Sequence, residues 1–163
     1  MTNIKSRTFS DNATNFIAFM TVVILGLSAG AMLTEAIAFV QFWQTLSPND
    51  FLKWFAENAP LLAKFFGSLQ TASAIFILIT TVVFWIQGRR GKYFAALSAM
   101  LIVAVLLTFF LYFQQANNNF ITSAVALDDV KYQLSQWAFW QWIRTALGIG
   151  AFVSGIFAIW QKQ

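Results

Sequence analysis

The chain has 163 residues and a net charge of +4, and it is 59% hydrophobic but only 10% charged. Because a soluble domain usually carries about 25% charged residues, this composition indicates a membrane protein. The chain contains neither Cys nor His, which excludes disulfides, thiol nucleophiles and the usual thiolate and imidazole ligands of haem, copper and zinc. We therefore expect no metal and no cofactor. The basic residues lie at predicted helix ends, a pattern that does not indicate nucleic-acid binding.

Four apolar stretches are each long enough for a membrane-spanning helix, which needs roughly 20 residues. They cover about residues 16–43, 61–86, 93–113 and 137–160. Backbone groups in lipid must form hydrogen bonds within their own segment, so helices are required, and the period-2 alternation of a β-barrel is absent. The sequence therefore predicts one all-α domain, residues 1–163, folded as an integral membrane four-helix bundle that contacts the lipid bilayer.

The basic residues predict the orientation of the bundle. Six of them flank the predicted spans on one side and three lie on the other side. By the positive-inside rule, we expect both termini to be cytoplasmic in a multi-pass protein of the bacterial inner (plasma) membrane. The six are Lys5, Arg7, Arg89, Arg90, Lys92 and Lys162, and the three are Lys53, Lys64 and Lys131.

The two loops on the outer side have different predicted structures. Residues 47–50 are typical of a turn followed by a helix start, with Ser47 or Asn49 as the N-cap. The apolar residues at 51, 52, 54 and 55 then predict a short amphipathic segment lying at the membrane interface. Residues 117–136 are polar, and we expect a solvated loop there.

Two charged residues, Glu35 and Arg144, lie inside predicted spans, where an unpaired charge costs roughly 2.5–3.5 kcal/mol. At 1.5 Å per residue, they lie roughly 12 Å below Trp43 and roughly 10 Å below Trp137 at the outer ends of their helices. Both are on faces rich in small residues, which mark helix contacts in membranes. We predict that they pair inside the bundle. The pair either only keeps two helices in register or takes part in binding or catalysis.

Other polar residues are predicted near the level of this pair. Gln70 lies within the second span, Asn118 follows the third, and Trp140 and Gln141 precede Arg144 on its own helix. Together they predict a polar pocket that opens toward the outer side. Glu35 and Arg144 are its candidate catalytic residues, and the other four are candidate substrate-binding residues.

The fourth span carries Trp140 and Arg144-Thr145, preceded by a run of Asn at 117–119, a Gly-rich first span and a short basic loop at 88–91. This arrangement resembles the DUF1772 family of small four-helix membrane proteins, which includes the anthrone oxygenases. The resemblance implies cofactor-independent oxygenation, in which an electron-rich phenolic substrate loses a proton and reacts directly with dioxygen. The chain lacks two prolines that the family often carries, and Glu35 is not part of the family's pattern.

Two functions fit these features. In the first, the protein is an enzyme acting on a lipophilic aromatic or quinone-like substrate, with Glu35 as the base, Arg144 stabilising a phenolate and Asn118 orienting a polar substituent. In the second, it is a non-enzymatic accessory or binding subunit that holds a lipid, quinone or pigment, or docks on a larger membrane complex. A transporter fits less well, because neither an inverted repeat nor matching broken helices are evident.

Overall fold

A computed structural model describes the backbone of residues 2–161 and the side chains of residues 11–161. These residues form four long helices joined by short connections, all long and apolar enough to cross a membrane. The all-helical prediction is therefore confirmed. The first helix comprises Thr2–Thr34, a π-helical segment Glu35–Phe39 and Val40–Thr45; the second is Pro48–Ile86; the third comprises Lys92–Thr108, a π-helical segment Phe109–Phe113 and Gln114–Ile121; the fourth comprises a 3-10 turn, Leu127–Asp129, and Val130–Trp160.

The second helix begins earlier than the sequence predicts. Ser47 is its N-cap, as predicted, and its hydroxyl oxygen accepts a hydrogen bond of 3.2 Å from the backbone N–H of Asp50. The prediction of a short amphipathic segment in the first outer loop is wrong, because these residues belong to the second helix itself. Phe51 and Phe55 are buried in the first turns of this helix, because they lie at helical spacing with Ala59 and extend its buried face into the bundle.

The polar segment at residues 117–136 is also more helical than predicted. Within it, only residues 122–126 lie outside the helices. The start of the fourth helix is held in place by Lys131. Its Nζ donates hydrogen bonds to the carbonyl oxygens of Gln44 and Leu46 at 2.7 and 2.6 Å. The carbonyls at the end of a helix lack partners within the helix and carry partial negative charge. The prediction of a solvated loop is therefore wrong for most of this segment.

The four helices form a ring in which the first and third helices each contact the second and the fourth. Short connections make consecutive helices antiparallel. Polar side chains join neighbouring helices: the hydroxyls of Thr21 and Thr80 lie 2.7 Å apart, and Ser98 donates to the carbonyl of Ala151 at 2.7 Å. Such hydrogen bonds, together with small residues, are typical contacts between membrane helices.

The two ends of the ring differ in composition. The aromatic end carries the connections at residues 46–47 and 122–126 and is filled by buried rings that contact one another mainly edge to face, a favourable geometry for aromatic pairs. This packing closes the aromatic end around its axis. The buried rings are Trp43, Phe51, Phe55, Phe113, Phe120 and Trp137.

The opposite end, here the basic end, carries the connection at residues 87–91. Arg89 donates to Asp11, Asn15 and Gln87, each at 3.0 Å. These bonds fix the connection to the first helix. Part of the predicted orientation rests on the side chains of Lys5 and Arg7 and on Lys162, which lie outside the described residues.

Gly91 tests the close packing at the basic end. A Cβ at this position would collide with the backbone carbonyl of Ala158, whereas a Cβ at Gly30 meets nothing within 4 Å. We expect Gly91→Ala to destabilise the fold by about 1–3 kcal/mol through overpacking and to lower the Tm in detergent. Gly30→Ala, the matched control, should leave the Tm unchanged or raise it. Equal Tm values for the two variants would contradict this packing.

Candidate functional site

The predicted pairing of Glu35 and Arg144 is confirmed. Arg144 Nη2 donates to Glu35 Oε2 at 2.6 Å, and the two residues are only 5% and 4% exposed. Glu35 is the first residue of the π-helical segment in the first helix, and Arg144 lies in the fourth helix. Because each charge would be unstable alone in an apolar interior, the pair couples these two helices.

Behind the ion pair, the fourth helix is tied to the backbone of the first. Gln141 Nε2 donates to the carbonyl oxygen of Met32 at 2.9 Å, and Thr145 Oγ1 lies 3.3 Å from the same oxygen. Gly148, one turn further along, faces the Met32 side chain so closely that a Cβ would collide with it. These contacts fix the position of Arg144 relative to Glu35, since they bracket Arg144 on its own helix.

The second π-helical segment also reaches the ion pair. Its last residue, Phe113, places its ring 4.3 Å from the Arg144 guanidinium carbon, a cation–π contact. Glu35 and Phe113 therefore belong to two different π-helical segments that meet at one cation. Such segments are rare and occur frequently at functional sites. Arg144 Nε has no hydrogen-bond partner among the described residues.

A cavity of about 710 Å³ opens in front of the ion pair. Glu35 and Arg144 lie in its wall, while most of its lining comes from the second and third helices. The lining is mainly apolar, with amides and the ion pair as its polar groups, which is the usual composition of a ligand pocket. The second and third helices contribute Phe55, Ala59, Leu62, Ala63, Phe66, Gly67, Gln70, Thr71, Leu106, Phe109, Phe110, Gln114, Gln115, Asn117, Asn118 and Ile121, and the fourth adds Trp137.

The cavity opens sideways, between the second and third helices. The exposed members of its lining lie along the facing edges of these helices, whereas Glu35, Gln70 and Arg144 are buried at its inner wall. Every residue from 60 to 69 is at least partly exposed. The opening therefore lies along the side of the bundle, and it continues to the polar residues near the aromatic end.

Four of the six predicted site residues line this cavity: Glu35, Arg144, Gln70 and Asn118. The other two lie outside its lining. Trp140 stacks on Tyr112 of the third helix, with ring centroids 5.2 Å apart. Gln141 is used in the contact with the first helix.

Sequence reasoning missed most of the cavity wall. Leu62, Phe66 and Phe110 have the same residue types as any lipid-facing position, so no sequence signal distinguishes them. Gln114 and Asn117 are not among the missed residues: polar side chains at the end of the third apolar stretch are expected near the pocket, and these two stand one turn apart. Asn117 also accepts a hydrogen bond of 2.8 Å from the Trp137 indole, which no sequence pattern indicates.

The chemistry available at the site is that of a carboxylate, a guanidinium and several amides. Among the described residues, no group of three or more His, Cys, Asp or Glu side chains could hold a metal ion. A carboxylate can accept a proton and a guanidinium can stabilise a developing anion. The site therefore has polar groups that can bind an oxygen-bearing ligand or assist a proton transfer.

Comparison with protein-family models, with curated proteins and with solved structures finds no match to this chain.

The free energy of the ion pair can be measured by a double-mutant cycle. Removing one partner of a buried ion pair typically costs about 3–5 kcal/mol, and much of this is the cost of leaving the other charge unpaired. We expect a loss of stability of the same order for this pair. We therefore expect Glu35→Leu and Arg144→Met each to lower the Tm in detergent strongly, and the double variant to be more stable than either single one. Strictly additive losses would show that the two charges are not coupled in the fold.

Proposed function

We propose that this chain is a multi-pass protein of the bacterial inner membrane that binds a lipophilic aromatic or quinone-like molecule in its cavity. The observation that carries the proposal is the extent of the cavity, from an exposed gap between two apolar helices to a buried ion pair. Its volume of about 710 Å³ is within the range of roughly 300–1,000 Å³ that small-molecule pockets occupy.

The distribution of polar groups supports this ligand class. The cavity wall is apolar along Leu62, Phe66 and Leu106, so a charged or fully polar molecule would lose hydration without replacement there. At the inner wall, Gln70 and Arg144 each carry a nitrogen with no partner among the described residues. A ring carbonyl or hydroxyl could accept hydrogen bonds from such donors, while the ring packs against the apolar wall.

In the membrane we place the aromatic end on the outer side and both termini in the cytoplasm. Arg89, Arg90 and Lys92 are clustered at the basic end, and the positive-inside rule assigns such an end to the cytoplasm. At the aromatic end, Lys131 is engaged by backbone carbonyls of the first helix. In this orientation the cavity lies in the outer half of the bilayer.

A second candidate function is oxygenation of the bound ligand, as in the anthrone oxygenases of the DUF1772 family that the sequence resembles. The observation that favours it is the presence of Glu35 in the cavity wall beside a guanidinium. In this proposal Glu35 accepts a proton from a phenolic substrate, Arg144 stabilises the resulting anion and Asn118 orients a polar substituent. Dioxygen is the four-electron oxidant: a ring CH2 of the substrate becomes a carbonyl with one oxygen atom, and the other oxygen atom leaves as water. Trp140 and Thr145, which match the family's motif, lie outside the cavity lining: Trp140 stacks on Tyr112 and Thr145 contacts the Met32 carbonyl.

Binding can be tested with a short-chain benzoquinone in proteoliposomes, detected by quenching of tryptophan fluorescence, since Trp137 lines the cavity. We expect saturable binding that Gln70→Leu weakens about tenfold, because one hydrogen bond is worth about 1 kcal/mol or more. Gln41→Leu, an exposed amide outside the cavity lining, should bind like the unsubstituted protein. Mass spectrometry of organic extracts of the purified protein should find a retained lipophilic molecule. No saturable binding and no retained molecule would reject the proposal.

Oxygenation can be tested separately by measuring dioxygen uptake with an anthrone as substrate. Glu35→Gln keeps the shape of the side chain but removes the proton acceptor, so we expect it to reduce turnover by at least about a hundredfold. Binding of the benzoquinone should persist in this variant. Turnover equal to that of the unsubstituted protein would exclude Glu35 as the base. Binding without dioxygen uptake in the unsubstituted protein would leave the non-enzymatic binding function.

A further inference from the structure

The gap between the second and third helices is bordered by two regular edges. The second-helix edge consists of Ala63, Gly67 and Thr71, and the third-helix edge consists of Phe110, Gln114 and Asn118. Within each edge the residues are four positions apart and line the same cavity, so they lie on one side of their helix. All six are exposed and all six line the cavity. The gap is therefore a slot along both helices rather than a hole at one end.

The glycine of the second-helix edge, Gly67, does not serve close helix packing. In membranes such residues normally let two backbones approach each other, as Gly91 does against the backbone of Ala158. By contrast, a Cβ at Gly67 would meet nothing within 4 Å. The third helix therefore does not pack against Gly67, although a glycine would let its backbone come close.

The inner wall behind the slot carries donors that the fold leaves without partners. Gln70 is only 8% exposed and Arg144 only 5%, yet neither Gln70 Nε2 nor Arg144 Nε has a hydrogen-bond partner among the described residues. Buried polar groups without partners are uncommon in native proteins and call for an explanation. A ligand whose oxygen reaches this wall, after a small adjustment of the two side chains, would supply the missing acceptor.

The axial route to the cavity from the aromatic end is closed. Trp43, Phe51, Phe113 and Phe120 fill the aromatic end and are each at most 1% exposed. A ligand arriving along the bundle axis would have to displace these packed rings. The slot requires no such displacement, because its edges are already apart.

We infer that the cavity is loaded sideways from the lipid phase through the slot, that Gly67 is the residue controlling passage, and that the ligand is a membrane-dissolved molecule carrying a hydrogen-bond acceptor. The inference rests on the proposed binding function and specifies the route and the acceptor. In the bilayer the ligand meets the slot edge-on, passes Gly67 and places its acceptor oxygen at Gln70 and Arg144. Asn118 and Gln114 lie where the slot reaches the polar end of the third helix.

The rates of benzoquinone binding in proteoliposomes test this route. Gly67→Phe places a ring in the slot, so we expect association and dissociation to slow together by about tenfold or more while Kd changes little. Gly30→Phe, a matched substitution at an exposed glycine outside the cavity lining, should leave both rates unchanged. Unchanged rates in Gly67→Phe would overturn the inference. So would a raised Kd with an unchanged association rate, which would make Gly67 part of the binding wall only.

A second measurement separates the route from the binding function. Because the chain has no Cys, Gly67→Cys can carry a single nitroxide label, whose collisions with dioxygen and with a water-soluble nickel chelate are measured by electron paramagnetic resonance. We expect the label to collide with dioxygen as often as one at Gly30→Cys, and to avoid the chelate, unlike one at Ala124→Cys in the aromatic-end connection. If the label at Gly67→Cys collides with the chelate as often as the label at Ala124→Cys, loading from lipid is refuted, whatever the ligand. If the label is exposed to lipid but the protein does not bind benzoquinone, the proposed ligand is wrong, whereas the route is not.

Discussion

The structure depends on one requirement, that the charges of Glu35 and Arg144 satisfy each other inside an apolar bundle. Their single short bond of 2.6 Å fixes the rotation of the first helix relative to the fourth, because turning either helix would leave a charge without a partner. The contacts of Gln141 and Thr145 with the Met32 carbonyl and the close approach at Gly148 then follow on the same faces. With these two helices joined so closely, the space left in the ring lies between the other two.

The two π-helical segments explain how a packed bundle accommodates both the ion pair and an adjacent cavity. A π-helical turn widens the helix locally and changes the direction of the side chains that follow. In the first helix such a turn begins at Glu35, and in the third helix one ends at Phe113, whose ring covers the guanidinium. The cation is thus held by a carboxylate and an aromatic ring from opposite sides of the ring of helices. An all-α third helix would present a different residue at this position.

Much of the fold and the centre of the candidate site could be predicted from the sequence. The four helices follow from uninterrupted apolar stretches, and the ion pair follows from two intramembrane charges at similar depth on faces with small residues. The early starts of the second and fourth helices were not predicted, because Phe51 and Val130 are buried only through contacts with distant parts of the chain. The cavity was predicted only in part for the same reason. Whether Phe66 or Phe110 faces lipid, another helix or a slot depends on the spacing of helices, which no local pattern encodes.

The exposed run at residues 60–69 also bears on how the protein moves. A helix is held by its backbone hydrogen bonds and by its neighbours, and this stretch lacks one of the former and is only partly covered by the latter. Pro60 lacks a backbone N–H, so one hydrogen bond of the preceding turn is missing, and the slot removes the third helix as a neighbour. Segments with few buried contacts open locally at lower free energy than the rest of a protein. Along this stretch the wall of the ring therefore costs less free energy to open locally than along the fourth helix, which has neighbours on both sides.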